Sequence, residues 1–383
     1  VDQGYYNSPF RIPTTEFLDY LDFMAKFVAE KAKRLVDLVH KYDKKAVMFL
    51  GDNWIGTEPY GKYFANIGLD GVVGSVGDGV TLRIISEIPN VSFTEGRFLP
   101  YFFPDTFFAG NDPTTEAADN WLAARRALLR KPLDRIGYGG YLSLAYQFPD
   151  FIDYIAQVAA QYRQIMDNID QAIPYTSAKV AVLNSWGNLR IWQAYIVAHG
   201  KWYKGCYSYL GMLEALSGMD MDVVFISFED IVNQGIDPEI DVIINAGAAG
   251  TAWSGGENFA NPLVIEAIRK FVHSGGGLIG IGEPSAYQAN GRYFQLADLF
   301  GVDREMGLSQ SVNRYNCEPV ASHFILDDFA QDHTFDLGEP INNVVALADN
   351  TEVLIYQDHE VKMAANKIGK GRSFYITGLP YSR

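Results

Sequence analysis

Apolar residues recur at helical spacing through residues 16–40 (EFLDYLDFMAKFVAEKAKRLVDLVH), and after a charged stretch the run VMFL stands at residues 47–50. The first pattern predicts an amphipathic helix and the second a buried strand, a helix feeding a parallel strand. The alternation continues. YGKYFANIG (60–68) predicts a helix, GLDGVVGSV (68–76) a strand, VTLRIISEIP (80–89) a short helix and VSFTEGRFLPYFF (91–103) a further strand. Two longer helices are expected, from about Thr114 to Arg130 and from about Phe148 to Asp170. Alternation at this pace indicates an α/β barrel or a doubly wound sheet.

The turn QAIPYTS (171–177) reads as a boundary, giving expected domains at residues 1–172 and 173–383. A second α/β series follows it, with strands at KVAVLNSW (179–186), DVVFISF (222–228), DVIINAG (241–247) and GGLIGIG (276–282), and with helices such as PLVIEAIRKFVHSGG (262–276) between them. Each strand ends in small or polar residues, and in open parallel sheets ligands sit at that end. From about Glu318 the tail alternates short apolar runs (NVVALA, EVLIYQ, HEVKMAANKIGKGRSFYITG) in the manner of hairpin strands.

Length and composition agree with two packed domains. The chain has 383 residues, 48% of them hydrophobic, with 24 Phe, 23 Tyr and 6 Trp, a mix that buries cores and leaves little room for disorder. The formal net charge of -15, uninterrupted by any Lys/Arg-rich run, makes nucleic acid and anionic membrane surfaces poor partners. Cys206 and Cys317 are the only cysteines and the histidines (40, 199, 273, 323, 333, 359) stand singly, so neither a disulfide framework nor a metal site is expected. A reducing cytoplasm suits this usage. No apolar run reaches bilayer length and no signal pattern opens the chain. The opening VDQGYYNSPFRIP has no Met and no capped first element, and the expectation is an internal piece of a larger protein.

Two segments carry candidate chemistry. In GDNWIGTEP, Asp52 closes a predicted strand and is followed by Trp54 and Glu58. Catalytic groups sit at the C-terminal ends of barrel strands; an Asp there is also a common helix cap. The adjacent indole favours the catalytic reading, because it offers a stacking platform for a sugar and desolvates a carboxyl toward general-acid use. In TEGRFLPYFFPDTF, Glu95, Gly96 and Arg97 are placed at a strand end before a dense aromatic run. An Arg beside a Gly lets guanidinium and backbone approach an oxyanion together. A structural Arg paired with Glu95 or Asp105 is the alternative.

GDNWIGTEPYG together with TEGRFLPYFFPDTF resembles the galacto-N-biose/lacto-N-biose phosphorylases, a glycoside hydrolase family that phosphorolyses β-galactosides with inversion. The resemblance extends through NSWGNLRIWQAY, INAGAAGTAWSGG and GLIGIGEPSAY and covers nearly all 383 residues. It implies an α/β fold class: the later half of a (β/α)8 TIM-like barrel, then a class I glutamine-amidotransferase-like α/β domain with a β-rich tail. It also implies a phosphorylase acting on β-galactosyl-1,3-N-acetylhexosamines, with a disaccharide and inorganic phosphate as substrates, no cofactor, and a homodimeric full-length parent.

By the same resemblance Asp52 is the general acid, Arg97 and Tyr101 bind phosphate, and Trp54, Glu58 and Glu95 line the sugar site. Glu58, six residues from Asp52, could equally cap a turn and receives no catalytic role. One carboxyl suffices, since a phosphate dianion is already nucleophilic and needs no base. An active amidotransferase would carry a nucleophilic Cys after a strand where this chain reads GIGEPSA. Gly282 or Glu283 stands there instead and Ser285 lacks a GxSxG frame. This domain is therefore expected to be catalytically silent, serving packing or dimerisation. The competing readings are a galactosyl-rhamnose phosphorylase, a non-catalytic scaffold, and a β-galactosidase, which would need a second carboxylate.

Overall fold

The computed structural model describes residues 15–49, 63–98, 106–129, 133–172, 175–184, 205, 207–251, 253–305, 318–320, 322–330, 332–347 and 351–381. Its contacts divide the chain into two compact units that meet at Thr176 and Ser177, with Leu213–Asp220 grouped with the first unit.

The first unit opens with helix α1 (Thr15–His40). Among the described side chains Ala29 and Val36 are buried, with Ala32 and Val39 beside them, so one stripe packs on Phe64, Ile67 and Val72. Strands β1 (Val47–Phe49), β2 (Gly71–Val76), β3 (Phe93–Phe98) and β4 (Arg135–Tyr138) then form a parallel sheet in sequential order. The expected helix over 60–68 is, among its described residues, a turn at Ala65–Ile67 closed by Gly68 in the left-handed region. β4 was not foreseen; its sequence RIGY offers too short an apolar pattern to register.

Helices α2 (Gly79–Ser86), α3 (Pro113–Leu128), α4 (Leu142–Ala145) and α5 (Pro149–Ile169) cover one face of this sheet. Asp78 caps α2 through the Thr81 N–H at 2.7 Å, and Asp112 caps α3 ahead of Pro113, which supply acceptors for otherwise orphaned donors. Val76, Leu82, Trp121, Leu128, Leu133 and Phe151 form the core beneath them. Trp121 satisfies its indole N–H on Gln161 at 2.7 Å.

The second unit is built on a seven-stranded sheet. Its strands are β5 (Ala178–Asn184), β6 (Met221–Ser227), β7 (Val242–Gly247) and β8 (Gly277–Gly282), followed after four short strands by β13 (Glu352–Gln357), β14 (Glu360–Ile368) and β15 (Gly371–Ile376). The short strands pair as β9 (Ala286–Ala289) with β10 (Arg292–Phe294) and β11 (Val302–Arg304) with β12 (Val344–Ala346). The main order is β13-β14-β15-β8-β7-β5-β6. The tail is therefore only partly a set of hairpins: β14 runs antiparallel to β13 and β15, while β15 joins β8 in parallel.

Three helices of the second series are α6 (Tyr207–Leu216), α7 (Phe228–Gln234) and α8 (Pro262–Ser274); a one-turn α9 (Ala297–Phe300) follows. Asn261 caps α8 through the Leu263 N–H, and Val264, Ile268 and Val272 place its apolar stripe in the core with Phe259, Phe294, Phe300 and Tyr375. Among the described residues no helix is long and apolar enough to cross a membrane.

Candidate active site

Parallel register sets which residues of the first sheet share a level. Val47, Gly71 and Phe93 align; above them Phe49, Val73, Glu95 and Arg135; above those Arg97, level with Ser75 and Gly137. Gly96 faces the helix-covered core, since a Cβ there would meet Leu133 and Val76. Arg97 and Glu95, its neighbours along the strand, therefore look out from the opposite face.

Arg97 is the fifth residue of the six-residue β3, at the C-terminal end where barrel sites form. Its guanidinium carbon lies 4.5 Å from the centre of the Phe49 ring on β1. At the other side its stem runs against the end of β4: a Cβ built on Gly139 would fall 1.4 Å from the Arg97 Cγ and 1.6 Å from its Cδ. One side chain thus spans from β3 to both outer strands of the sheet. Phe49 is the last residue of β1, three before Asp52 in the sequence. Asp52, Trp54, Glu58 and Tyr101 lie outside the described residues.

Glu95 occupies a different place from Arg97. It stands third in β3 rather than at its end, with its carboxylate 3.9 Å from Arg135. It lines a cleft of about 330 Å³ with Asp134, Arg135, Tyr162 and Arg163 beside the start of β4. Arg135 also lies over the Phe93 ring at 4.3 Å, and Asp134 anchors the Thr94 N–H at 2.7 Å. Glu95 and Arg97 share a face but sit at different depths, with Glu95 nearer the N-terminal side.

Two features at the strand ends escaped the sequence reading. Gly139 is one; its role comes from a side chain on another strand. The other is a carboxylate pair beyond β2, where Asp78 caps α2 and Glu214 binds Arg126 at 2.9 Å. Burial, reinforced by the charge of Asp78, raises the Glu214 carboxyl above its ordinary range, while Arg126 and the Gly79 and Val80 N–H groups oppose the rise. Glu214 lies in a segment whose fold was not anticipated.

In the second unit the turn after β8 is filled by the protein's own contacts. Glu283 follows β8, as the sequence placed it, and its carboxylate accepts the Ala249 N–H at 2.7 Å and the Tyr293 hydroxyl at 3.0 Å and pairs with Arg304. Ser285 is fully buried at φ 53°; its hydroxyl accepts the Leu296 N–H and its own N–H binds Asn245. Among the described residues no group of three or more His, Cys, Asp or Glu could hold a metal ion.

Comparison with known proteins accords with this arrangement. Residues 1–177 match the family described as lacto-N-biose phosphorylase N-terminal TIM barrel domain, and residues 179–383 the lacto-N-biose phosphorylase central domain. The chain belongs to the lacto-N-biose phosphorylase family. It is 53% identical over its whole length to a protein of Lachnoclostridium phytofermentans named 1,3-beta-galactosyl-N-acetylhexosamine phosphorylase, of which it covers 53%. A protein of the same name from Bifidobacterium longum subsp. longum is 47% identical, with 100% of this chain and 55% of that protein covered. A D-galactosyl-beta-1->4-L-rhamnose phosphorylase of Lachnoclostridium phytofermentans is 37% identical, over 95% of this chain and 50% of that protein. The chain spans about half the length of these curated relatives.

Among solved structures, the β-galactosidase from Bacillus circulans sp. alkalophilus is similar in fold, with a TM-score of 0.53 at 15% identity, covering 95% of this chain and 55% of that one. The four sequential parallel strands are thus part of a TIM-type barrel within an α/β protein.

Proposed function

We propose that this chain is the later half of the catalytic barrel, with the domain after it, of a phosphorylase that cleaves β-1,3-galactosyl-N-acetylhexosamines with inversion. The observation that carries the reading is the match over the whole of this chain at 47–54% identity to proteins named for that reaction, against 37% for the rhamnose phosphorylase. The geometry supports it through Arg97, held at a strand end above the face shared with Phe49.

In this reading the Asp52 carboxyl donates its proton to the departing glycosidic oxygen as the C1–O bond breaks, while a phosphate oxygen attacks C1 from the opposite face. The products are α-galactose 1-phosphate and the free N-acetylhexosamine. Arg97 and Tyr101 hold the phosphate, with two guanidinium N–H groups matched to two phosphate oxygens. Trp54 and Glu58 line the sugar site. Glu95, deeper on β3 and beside Arg135, lines the same site from below. The phosphate carries its own nucleophilicity, so the reaction needs no cofactor. The setting is cytoplasmic and the whole enzyme a homodimer.

We also read the second unit as amidotransferase-like and silent. Five parallel strands and a turn after β8 that holds Glu283, bound on three sides, support this. The test of substrate class is reverse synthesis by the full-length parent enzyme from α-galactose 1-phosphate. N-acetylglucosamine or N-acetylgalactosamine should act as acceptor and rhamnose should not; preference for rhamnose would assign the enzyme to the other phosphorylase type.

A further inference from the structure

Arg97 departs from an ordinary strand arginine in how it is held. A long guanidinium side chain on an open face samples many rotamers. Here two contacts restrict it. The Cγ and Cδ of this rotamer pass through the space that a side chain at 139 would take, since any Cβ there would fall within bonding distance of both atoms. The Phe49 ring provides the second contact, a flat surface 4.5 Å from the guanidinium carbon, with the geometry of a cation–π stack. The stem is set by the absence of a side chain on β4's end, and the head by an aromatic on β1.

The neighbouring glycine provides the contrast. Gly137 lies on β4 level with Arg97, and a Cβ there would meet nothing within 4 Å. Neither glycine has a positive φ, so left-handed backbone strain does not distinguish the two. The atoms that a Cβ would meet first at 139 are all of Arg97.

We propose that Gly139 and Phe49 are positioning residues that fix the Arg97 guanidinium in a single orientation at the strand ends, where it receives the incoming phosphate. The proposal rests on the phosphorylase reading above and deepens it by naming what orients the anion site. A misplaced guanidinium would weaken phosphate capture while leaving the disaccharide site intact, because only one of the two substrates depends on it.

The experiment measures KM for inorganic phosphate, KM for the disaccharide and kcat in the full-length parent enzyme and in four variants: Gly139→Ala, Gly137→Ala, Phe49→Leu and Phe49→Tyr. Gly139→Ala and Phe49→Leu should raise the phosphate KM by about tenfold to a hundredfold, with the disaccharide KM little changed. Gly137→Ala and Phe49→Tyr should match the wild type. If Gly139→Ala does not fold, the Phe49 pair decides. A wild type that forms galactose 1-phosphate while Gly139→Ala keeps the phosphate KM of Gly137→Ala, or Phe49→Leu that of Phe49→Tyr, overturns the proposal alone. A wild type that forms no galactose 1-phosphate overturns the phosphorylase reading and the proposal with it.

Discussion

Charged side chains with little access to water decide what each unit can tolerate. In the second unit Glu283 is 7% exposed and holds Ala249, Tyr293 and Arg304 together. Arg304 is itself half-buried, and burial lowers its pKa. Asp303 next to it accepts the N–H groups of Tyr293, Phe294 and Arg304, yet burial still raises its carboxyl. Removing Glu283 or Arg304 leaves the other without its paired counter-charge. Glu283→Ala should cost about 3–5 kcal/mol, and the double replacement Glu283→Leu with Arg304→Met markedly less; urea unfolding of this chain measures both, and equal losses would argue against a buried pair. The sequence located Glu283 after its strand but could not supply its partners, because Ala249, Tyr293 and Arg304 are brought to it by other elements.

Elements were legible where their periodicity was long and their caps were chemical. Helix α1 and the strands at 222–228, 241–247 and 276–282 follow their apolar patterns closely, and the predicted helix at 262–276 is bounded by Asn261, Pro262 and Gly275 as the residue types suggest. Asn261→Ala removes the α8 cap and should cost about 1 kcal/mol in thermal or chemical unfolding, with Asn261→Asp close to wild type. Where pattern was short, reading failed. β4 has four residues, two of them glycine or charged, and its strand character comes from pairing with β3. The parallel place of β15 beside β8 is likewise a long-range choice that local alternation cannot encode. Arg97 was legible at the site as a residue type; the need for glycine at 139 was not, because it arises from a side chain on another strand.

Asp70 ties three elements of the first unit. Its carboxylate accepts from the Ala46 N–H at 2.7 Å and lies 2.8 Å from His40, and its carbonyl takes the Ser92 N–H. The bond from His40, then that from Ala46, lowers its pKa below 3.8. The folded state therefore binds the proton less well than the unfolded chain. Its contribution is present above about 3.8 and is lost as pH falls through the depressed folded value. Asp70→Asn should destabilise the chain at pH 7, with the gap to wild type closing below that range; a gap independent of pH would contradict the assignment.

At the scale of the whole molecule, the two units match two consecutive domains of one family, and the chain corresponds to about half of each curated relative. The four strands of the first sheet supply one side of a TIM-type barrel, a fold whose sites form at the C-terminal ends of its strands. The proposed role of Asp52 is that of proton donor in a phosphorolysis at those strand ends. Phosphorus NMR of the full-length parent enzyme, incubated with galactosyl-1,3-N-acetylhexosamine and phosphate, tests it directly. α-Galactose 1-phosphate should form only when phosphate is present, at a rate that falls by about 10²–10⁴ in Asp52→Asn. Free galactose released at the same rate without phosphate, or an undiminished rate in Asp52→Asn, would contradict it.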